Sequence, residues 1–170
     1  MSFEITNSRF DCRTFGREIS FYKVAHIPQA YPFDRTLQGM IEEACKELGF
    51  RFHPRTTVLA DEGPRYNTRA ESKLFELWGG DVINMTSVPE AALAAELGLV
   101  YASIAMITDS DCVDEEEEYV TVDLVNQRMS KFKGKIQKLL PSVIKRAAKY
   151  DWTDLMEAKK KEARRAIIKE

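Results

Sequence analysis

The sequence predicts an α/β fold, and three observations support this prediction. Helix-like and strand-like stretches alternate along most of the 170 residues. Residues 57–111 alone contain three apolar, β-rich runs and two amphipathic stretches with helical spacing. A short polar turn follows each of the three β-rich runs. Because ligands bind beyond the carboxyl ends of the strands in open α/β sheets, we expect these turns to form a ligand site.

Two strands and one helix are predicted before this block. The strands are Phe3–Thr6 and Ile19–Ala25, and a polar turn separates them. A helix is predicted over Phe33–Leu48, where apolar residues recur at spacings of three and four, and Gly49 is suited to end it. Since the opening strands are short and polar, as at a sheet edge, the chain looks like the second half of a fold.

The central block itself predicts three strands and two helices. Strands are expected at Arg55–Ala60 and Asp81–Met85. The pattern Thr68–Glu71 is typical of a capping box and opens one helix, and Ser87–Glu90 is expected to be a second capping box that opens the next. The almost wholly apolar run Leu99–Ile107 predicts a strand buried on both faces.

The remainder of the chain is predicted to be an acidic loop followed by helices. The loop covers Cys112–Tyr119, and its charge run is expected to be a solvated segment. Apolar residues at helical spacing predict a helix over Val120–Tyr150 that is interrupted at Pro141. Residues 1–150 are expected to form a partial domain that holds the ligand site, and residues 151–170 a charged C-terminal helix.

Composition excludes several classes of protein. An apolar fraction of 44% and a charged fraction of 31% are typical of a globular protein. The net charge of −2 argues against nucleic acid as the main partner. Three widely spaced cysteines and two histidines offer no disulfide framework and no metal site. Neither a signal peptide nor an apolar run long enough to cross a bilayer is present, so we expect a cytoplasmic protein.

The three turns carry groups suited to a small, flat and partly apolar ligand. Tyr66 offers a ring for stacking, Met85 a soft apolar contact and Thr86 a hydroxyl. Asp109 and Asp111 offer carboxylates that can accept from an exocyclic amine or exchange a proton with a ring nitrogen. The same residues also allow a purely structural interpretation, in which the aspartates cap a turn and Tyr66 belongs to the core. No glycine-rich phosphate loop is present.

Long motifs in this block resemble the trimeric purine nucleoside phosphorylases, and within them the 5′-methylthioadenosine phosphorylases. The motifs are EGPRYNTRAES at 62–72, WGGDVINMTSVPE at 78–90 and GLVYASIAMITDSDC at 98–112. FDCRT and VAHIPQAYPF, further upstream, are also similar to family motifs. The resemblance implies the C-terminal part of a nucleoside-phosphorylase-like mixed sheet flanked by helices.

The resemblance also implies roles for the residues that bind the purine. Tyr66 stands where the family has a phenylalanine that stacks on the base, and Asn67 stands where it has a serine. Asp109 and Asp111 match the aspartates that read N7 and the 6-amino group, which makes Asp109 the predicted catalytic acid. Thr108 precedes this pair in the same motif and is counted with the substrate-binding residues.

Further contacts are implied for the sugar side of the site. Met85 and Thr86 match a methionine–threonine pair that touches ribose and phosphate. His26 matches a histidine that lines a neighbouring subunit's pocket, which implies a trimer-based oligomer. The implied reaction is phosphorolysis of methylthioadenosine to adenine and 5-methylthioribose 1-phosphate, with no cofactor and with phosphate as co-substrate.

The chain also departs from the family pattern. Tyr66, Asn67, Ser110 and Val113 replace the usual residues around the base. The family's N-terminal two-fifths, which carries the phosphate-binding loop, has no counterpart in this sequence. We therefore expect a subunit of a split enzyme whose phosphate-binding half comes from a second polypeptide. An inactive, structural phosphorylase-like subunit is the alternative, and an adenine-nucleoside sensor is a third possibility.

Overall fold

A computed structural model of the chain describes residues 4–6, 25–61, 63–111 and 119–168. Within these residues three strands form one parallel sheet in the order β1–β2–β3. The strands are β1 (Glu4–Thr6), β2 (Val58–Ala60) and β3 (Val82–Asn84). All three residues of β2 are buried, as expected for the central strand of a covered sheet. The predicted α/β class is confirmed.

Five helices are described, and each falls inside a stretch that the sequence predicts to be helical. They are α1 (Arg35–Glu47), α2 (Arg69–Leu77), α3 (Ser87–Glu96), α4 (Val122–Ala147) and α5 (Thr153–Ala166). Asp34 caps α1 by accepting hydrogen bonds from the backbone N–H groups of Thr36 and Leu37. Gly49 follows α1 with a φ of +66°, the left-handed conformation that ends helices.

The main apolar cluster lies between α1 and α4. Ala44 and Cys45 of α1 pack with Leu139 and Val143 of α4, and all four are buried. Helix α4 continues through Pro141, so the predicted interruption there is wrong. Proline removes one hydrogen bond of the helix, but the buried residues on either side anchor both turns against α1 and hold the helix together.

The predicted capping box at Ser87–Glu90 is also wrong. The side-chain Oδ1 of Asn84 caps α3 instead, accepting from the backbone N–H groups of Thr86 and Ser87 at 3.1 and 3.0 Å. The hydroxyl of Ser87 donates to the same oxygen at 2.9 Å and so is engaged as a donor. Val88 has extended backbone angles, as the residue before a proline prefers, so the regular helix begins at Pro89.

Leu99–Ile107 is not a strand, in contrast to the prediction. Among the described residues no strand pairs with it, and Ile107 is 50% exposed. Its residues 99, 103, 105 and 107 are exposed, whereas the even-numbered residues 100–106 are half-buried. The apolar pattern predicts a strand with partners on both edges, and the described part of the chain does not supply them. The segment therefore presents one covered face and one open face.

Helix α5 packs on the end of α3 through a close backbone approach. Gly98 is buried with a φ of +67°, and a Cβ at this position would lie 2.8 Å from the backbone N of Lys160. An antiparallel bridge joins Ala25 to Ile167 just beyond α5. Most of the predicted strand Ile19–Ala25 and most of the acidic loop lie outside the described residues. No helix in the described ranges combines the length and apolar character needed to cross a membrane.

Candidate functional site

The first turn follows β2 and is fixed by the start of α2. The Thr68 hydroxyl accepts from the backbone N–H of Glu71, and the Glu71 carboxylate accepts from the backbone N–H of Thr68, so the predicted capping box is confirmed. Arg65 donates to both oxygens of the same carboxylate at 2.7 Å and to the Tyr66 carbonyl at 3.1 Å. This network fixes the backbone that carries Tyr66, whose side chain is 38% exposed.

The second turn follows β3 and lies directly against the first. Met85 is exposed, and a Cβ on Gly63 would lie 2.7 Å from its sulfur atom. A larger residue here would push the flexible Met85 side chain aside, and the φ of +67° at Gly63 also favours glycine. Thr86 occupies the N-cap position of α3, but its side chain makes no capping hydrogen bond because Asn84 takes that role. The predicted ribose and phosphate contacts thus lie on an exposed turn beside Gly63.

The third turn contains the two aspartates and holds its own shape. The Thr108 hydroxyl donates to Asp109 Oδ2 at 2.7 Å, and the backbone N–H of Asp111 donates to Asp109 Oδ1 at 3.1 Å. Asp111 has a φ of +54°, which is the left-handed region that aspartate tolerates better than most residues. Arg128 of α4 donates from Nη1 to the Thr108 carbonyl at 2.5 Å and so ties the turn to the long helix.

A contact between Asn67 and Asp111 joins the first turn to the third. The Asn67 Nδ2 lies 3.2 Å from each oxygen of the Asp111 carboxylate. The side chain of Ser72, a fully buried residue of α2, lies near this carboxylate, and its hydroxyl donates to the Thr68 carbonyl at 3.3 Å. Burial raises the pKa of Asp111, the hydrogen bonds from Ser72 and Asn67 oppose this rise, and the negative charges of Asp109 and Asp61 add to it.

His26 is not part of this group of contacts. Its side chain is exposed, and its backbone N–H donates to the Ala166 carbonyl at 2.9 Å beside the end of α5. The structure therefore joins Asn67 to the Thr108–Asp111 turn and brings Met85 beside Gly63, while His26 lies elsewhere on the surface.

Two residues of the site carry no signal in the sequence. Ser72 is one position beyond the capping box, and its sequence context is that of an ordinary helical residue. In the structure its side chain lies near Asp111. Arg128 is 20 residues from the carbonyl that it binds. Contacts of this kind depend on the tertiary structure, and neither spacing nor composition predicts them.

The arrangement is suited to binding a base with polar edges. The two carboxylates lie at one turn, an exposed aromatic ring lies at another, and a hydroxyl and a thioether lie at the third. Within the described ranges, no cluster of three or more histidine, cysteine, aspartate or glutamate side chains suits a metal ion. The groups present are those of hydrogen bonding, stacking and proton exchange.

Comparison with known proteins shows which family this chain is similar to. The sequence profile of the Phosphorylase superfamily matches residues 4–145. The S-methyl-5'-thioadenosine phosphorylase of Xenopus tropicalis is 40% identical over 168 residues, covering 94% of this chain and 60% of the relative. That of Danio rerio is 41% identical with the same coverage. The chain thus spans about three-fifths of the length of these relatives.

Solved structures agree with the sequence comparison. A mutant adenosine/methylthioadenosine phosphorylase from Schistosoma mansoni, in complex with adenine, superposes with a TM-score of 0.81 at 32% identity, covering 85% of this chain and 56% of that one. Another mutant of that protein, in complex with methylthioadenosine, gives a TM-score of 0.78 at 31% identity, covering 85% and 55%. The chain belongs to the phosphorylase superfamily, and it corresponds to the C-terminal part of its nucleoside phosphorylase members.

Proposed function

We propose that this chain is a subunit of a split 5′-methylthioadenosine phosphorylase-like enzyme, completed by a second polypeptide that binds phosphate. The observation that carries the proposal is the contact of Asn67 with Asp111, which joins two separate turns and brings the acidic pair into one polar site. The Schistosoma mansoni protein, which is similar in fold and sequence, binds adenine and methylthioadenosine.

The purine is the part of the substrate that this chain would bind. Tyr66 has an exposed ring that can stack on the base. Asp111 can accept from the 6-amino group, because its carboxylate is held in place by the Asn67 amide. Asp109 then faces N7. The turn Met85–Thr86 would contact ribose, with the Thr86 hydroxyl available since it does not cap α3.

Phosphorolysis breaks the glycosidic bond between N9 of the base and C1′ of the sugar. A phosphate oxygen forms the new bond to C1′, and the electron pair of the broken bond moves onto the purine. Asp109 would donate a proton to N7 as the leaving base gains negative charge, which is the role of a general acid. The products are adenine and 5-methylthioribose 1-phosphate, and no cofactor beyond the co-substrate phosphate is needed.

The open face of Leu99–Ile107 supports a second polypeptide. Leu99 and Ile107 of this segment are 43% and 50% exposed. Large apolar side chains that are exposed together mark surfaces where another chain packs. A partner equivalent to the part of the relatives that this chain does not span would cover the segment and supply the phosphate contacts.

The assembly is proposed to be trimer-based and cytoplasmic. His26 lies exposed and apart from the acidic pair, which is where a residue serving a neighbouring subunit's site would lie. Neither a membrane nor a nucleic acid is required by any step of the reaction.

The alternative is a catalytically inactive, phosphorylase-like subunit with a structural role in a complex. The replacements at Tyr66, Asn67 and Ser110 favour it, because they alter the surroundings of the acidic pair. A measurement of catalysis by the purified complex distinguishes the two functions, because only the split enzyme would be active.

Co-purification tests the proposal. The tagged chain, isolated from its native source, should bring down a second polypeptide, and the complex should release adenine from methylthioadenosine only when phosphate is present. Substituting Asp109→Asn should lower the rate by about 10²–10⁴-fold, the usual contribution of a general acid. A complex that contains the partner but releases no adenine would favour the structural role, and a chain that is isolated alone and inert would overturn the split enzyme.

A further inference from the structure

Asn67 contacts the Asp111 carboxylate, although the resemblance would place it among the residues that touch substrate. Its Nδ2 is equidistant from the two carboxylate oxygens, at 3.2 Å from each. The two N–H bonds of an amide diverge too widely to reach one carboxylate together, so one N–H bridges both oxygens. The side chain thereby fixes the direction in which the Asp111 carboxylate points.

The orientation of the Asn67 amide is set by this contact. Nδ2 faces the carboxylate, and Oδ1 is buried with no hydrogen-bond partner among the described residues. An unsatisfied buried acceptor costs about 1–3 kcal/mol. Turning the amide over would place Oδ1 against the two oxygens of the Asp111 carboxylate. These three acceptors would repel one another, at a greater cost than one unpaired Oδ1. The interaction with Asp111 therefore outweighs the cost at Oδ1.

Ser72 is a second side chain near the Asp111 carboxylate. It is 1% exposed and lies in the first turn of α2, and its hydroxyl donates to the Thr68 carbonyl at 3.3 Å. The Ser72 side chain also helps to oppose the rise that burial causes in the Asp111 pKa. Asn67 is therefore the side chain whose contact fixes the carboxylate, and Ser72 adds a polar neighbour from α2.

We propose that Asn67 is a positioning residue that holds the Asp111 carboxylate as a fixed hydrogen-bond acceptor for a base carrying an exocyclic amine. The proposal rests on the proposed function and deepens it. Asn67 acts through Asp111, and by fixing the carboxylate it strengthens the preference for 6-aminopurines over 6-oxopurines that the acidic pair provides. A purine with O6 would place a second acceptor against a carboxylate that cannot turn away.

The titration of Asp111 in the full chain tests the contact without any ligand. Carbon NMR of the carboxyl group would be followed against pH in the wild type, in Asn67→Leu and in the smaller Asn67→Ser. The groups that face Asp111 are Asn67, Ser72, Asp109 and Asp61, and the last two are unchanged in these variants. Loss of one charge-assisted hydrogen bond should raise the Asp111 pKa further, by about one pH unit for Asn67→Leu.

The control is Asn126→Leu, the same substitution at an exposed position of α4, which should leave the titration unchanged. An Asp111 titration identical to that of the wild type in both Asn67 variants would overturn the proposal.

Base binding by the co-purified complex tests the preference itself. Calorimetry with adenine and with hypoxanthine should show a wild-type preference for adenine. Asn67→Leu should weaken adenine binding about tenfold while hypoxanthine binding changes little. Equal discrimination in the wild type and the variant would overturn the assigned role. A wild-type complex that binds neither base would instead overturn the proposed function, and the Asp111 titration separates that failure from a failure of the contact.

Discussion

The Arg128 guanidinium donates a hydrogen bond of 2.5 Å to the backbone carbonyl of Thr108. This contact links the long helix α4 to the turn that contains both aspartates. Helix α4 is itself anchored on α1 through Leu139 and Val143. The position of the acidic pair therefore depends on packing that begins in the apolar cluster, well away from the turn.

Substituting Arg128→Met should loosen this turn. A hydrogen bond from a charged donor is worth about 1.5–3 kcal/mol, so we expect roughly a tenfold or greater loss of kcat/KM in the complex. Amide hydrogen exchange over 108–111 should accelerate in the same variant. The control is Lys131→Met, which removes a charge from an exposed position of the same helix. Equal exchange rates in the Arg128 variant and the wild type would show that the turn does not depend on this contact.

Gly98 and Gly134 should respond in opposite directions to alanine. Gly98 has a φ of +67°, and a Cβ there would lie 2.6 Å from the Lys160 Cγ and 2.8 Å from its backbone, so Gly98→Ala should destabilise the chain by about 2 kcal/mol or more. Gly134 lies within α4, and beyond the backbone of its own helix no atom lies within 4 Å of an added Cβ, so Gly134→Ala should stabilise the chain by about 0.5–1 kcal/mol. Urea unfolding measures both changes. An unchanged free energy of unfolding in Gly98→Ala would contradict the close approach of α3 and α5.

The capping network of α2 should make stability depend on pH in acid. Hydrogen bonds from Arg65 and Thr68 lower the pKa of Glu71 to about 2. Because this pKa is lowered on folding, the stabilisation is fully present above the pKa of about 4.3 in the unfolded chain and is lost as the pH falls towards 2. The side chains of Arg65 and Glu71 are 60% and 30% exposed, so solvent screening reduces the contribution of their ion pair to stability.

The variant Glu71→Ala isolates this contribution. Its free energy of unfolding should be about 1 kcal/mol lower than that of the wild type at pH 7, the typical worth of a cap. The difference should shrink between pH 4 and pH 2, as measured by urea unfolding at each pH. A difference that stays constant down to pH 2 would show that the charge of Glu71 is not involved.

The buried seam between α1 and α4 should be more sensitive than the exposed side of α4. Leu139→Ala removes a buried side chain, and we expect a loss of about 2–5 kcal/mol in the free energy of unfolding. The neighbouring Leu140 is 44% exposed, so Leu140→Ala should cost less than about 1 kcal/mol. Equal losses for the two variants would mean that the seam is not where the structure places it.

Features set by local sequence could be predicted, and features that need distant partners could not. Gly49 ends α1, and Thr68 with Glu71 caps α2, as local patterns indicated. Leu99–Ile107 has the composition of a buried strand, but strand formation requires neighbours that the described residues lack. Pro141 is tolerated in α4 because tertiary packing on both sides overrides a local preference.

The candidate site divides in the same way. The motifs located Tyr66, Asp109 and Asp111 on turns after apolar runs, and the structure places them there. The pairing of Asn67 with Asp111 spans 44 residues and joins two turns, and no local pattern encodes it. The predicted cap at the start of α3 is wrong because Asn84, at the end of the preceding strand, accepts the hydrogen bonds there.

Fragment complementation tests the split-enzyme account most directly. The chain would be co-expressed with the N-terminal two-fifths of the Xenopus tropicalis S-methyl-5'-thioadenosine phosphorylase, the part of that relative that this chain does not span. Adenine release from methylthioadenosine would then be measured with and without phosphate. The account predicts phosphate-dependent release of adenine. Asp109→Asn should lower the rate of this release to about 1% of the wild-type rate or less. A stable complex of the two polypeptides that releases no adenine in phosphate would contradict it.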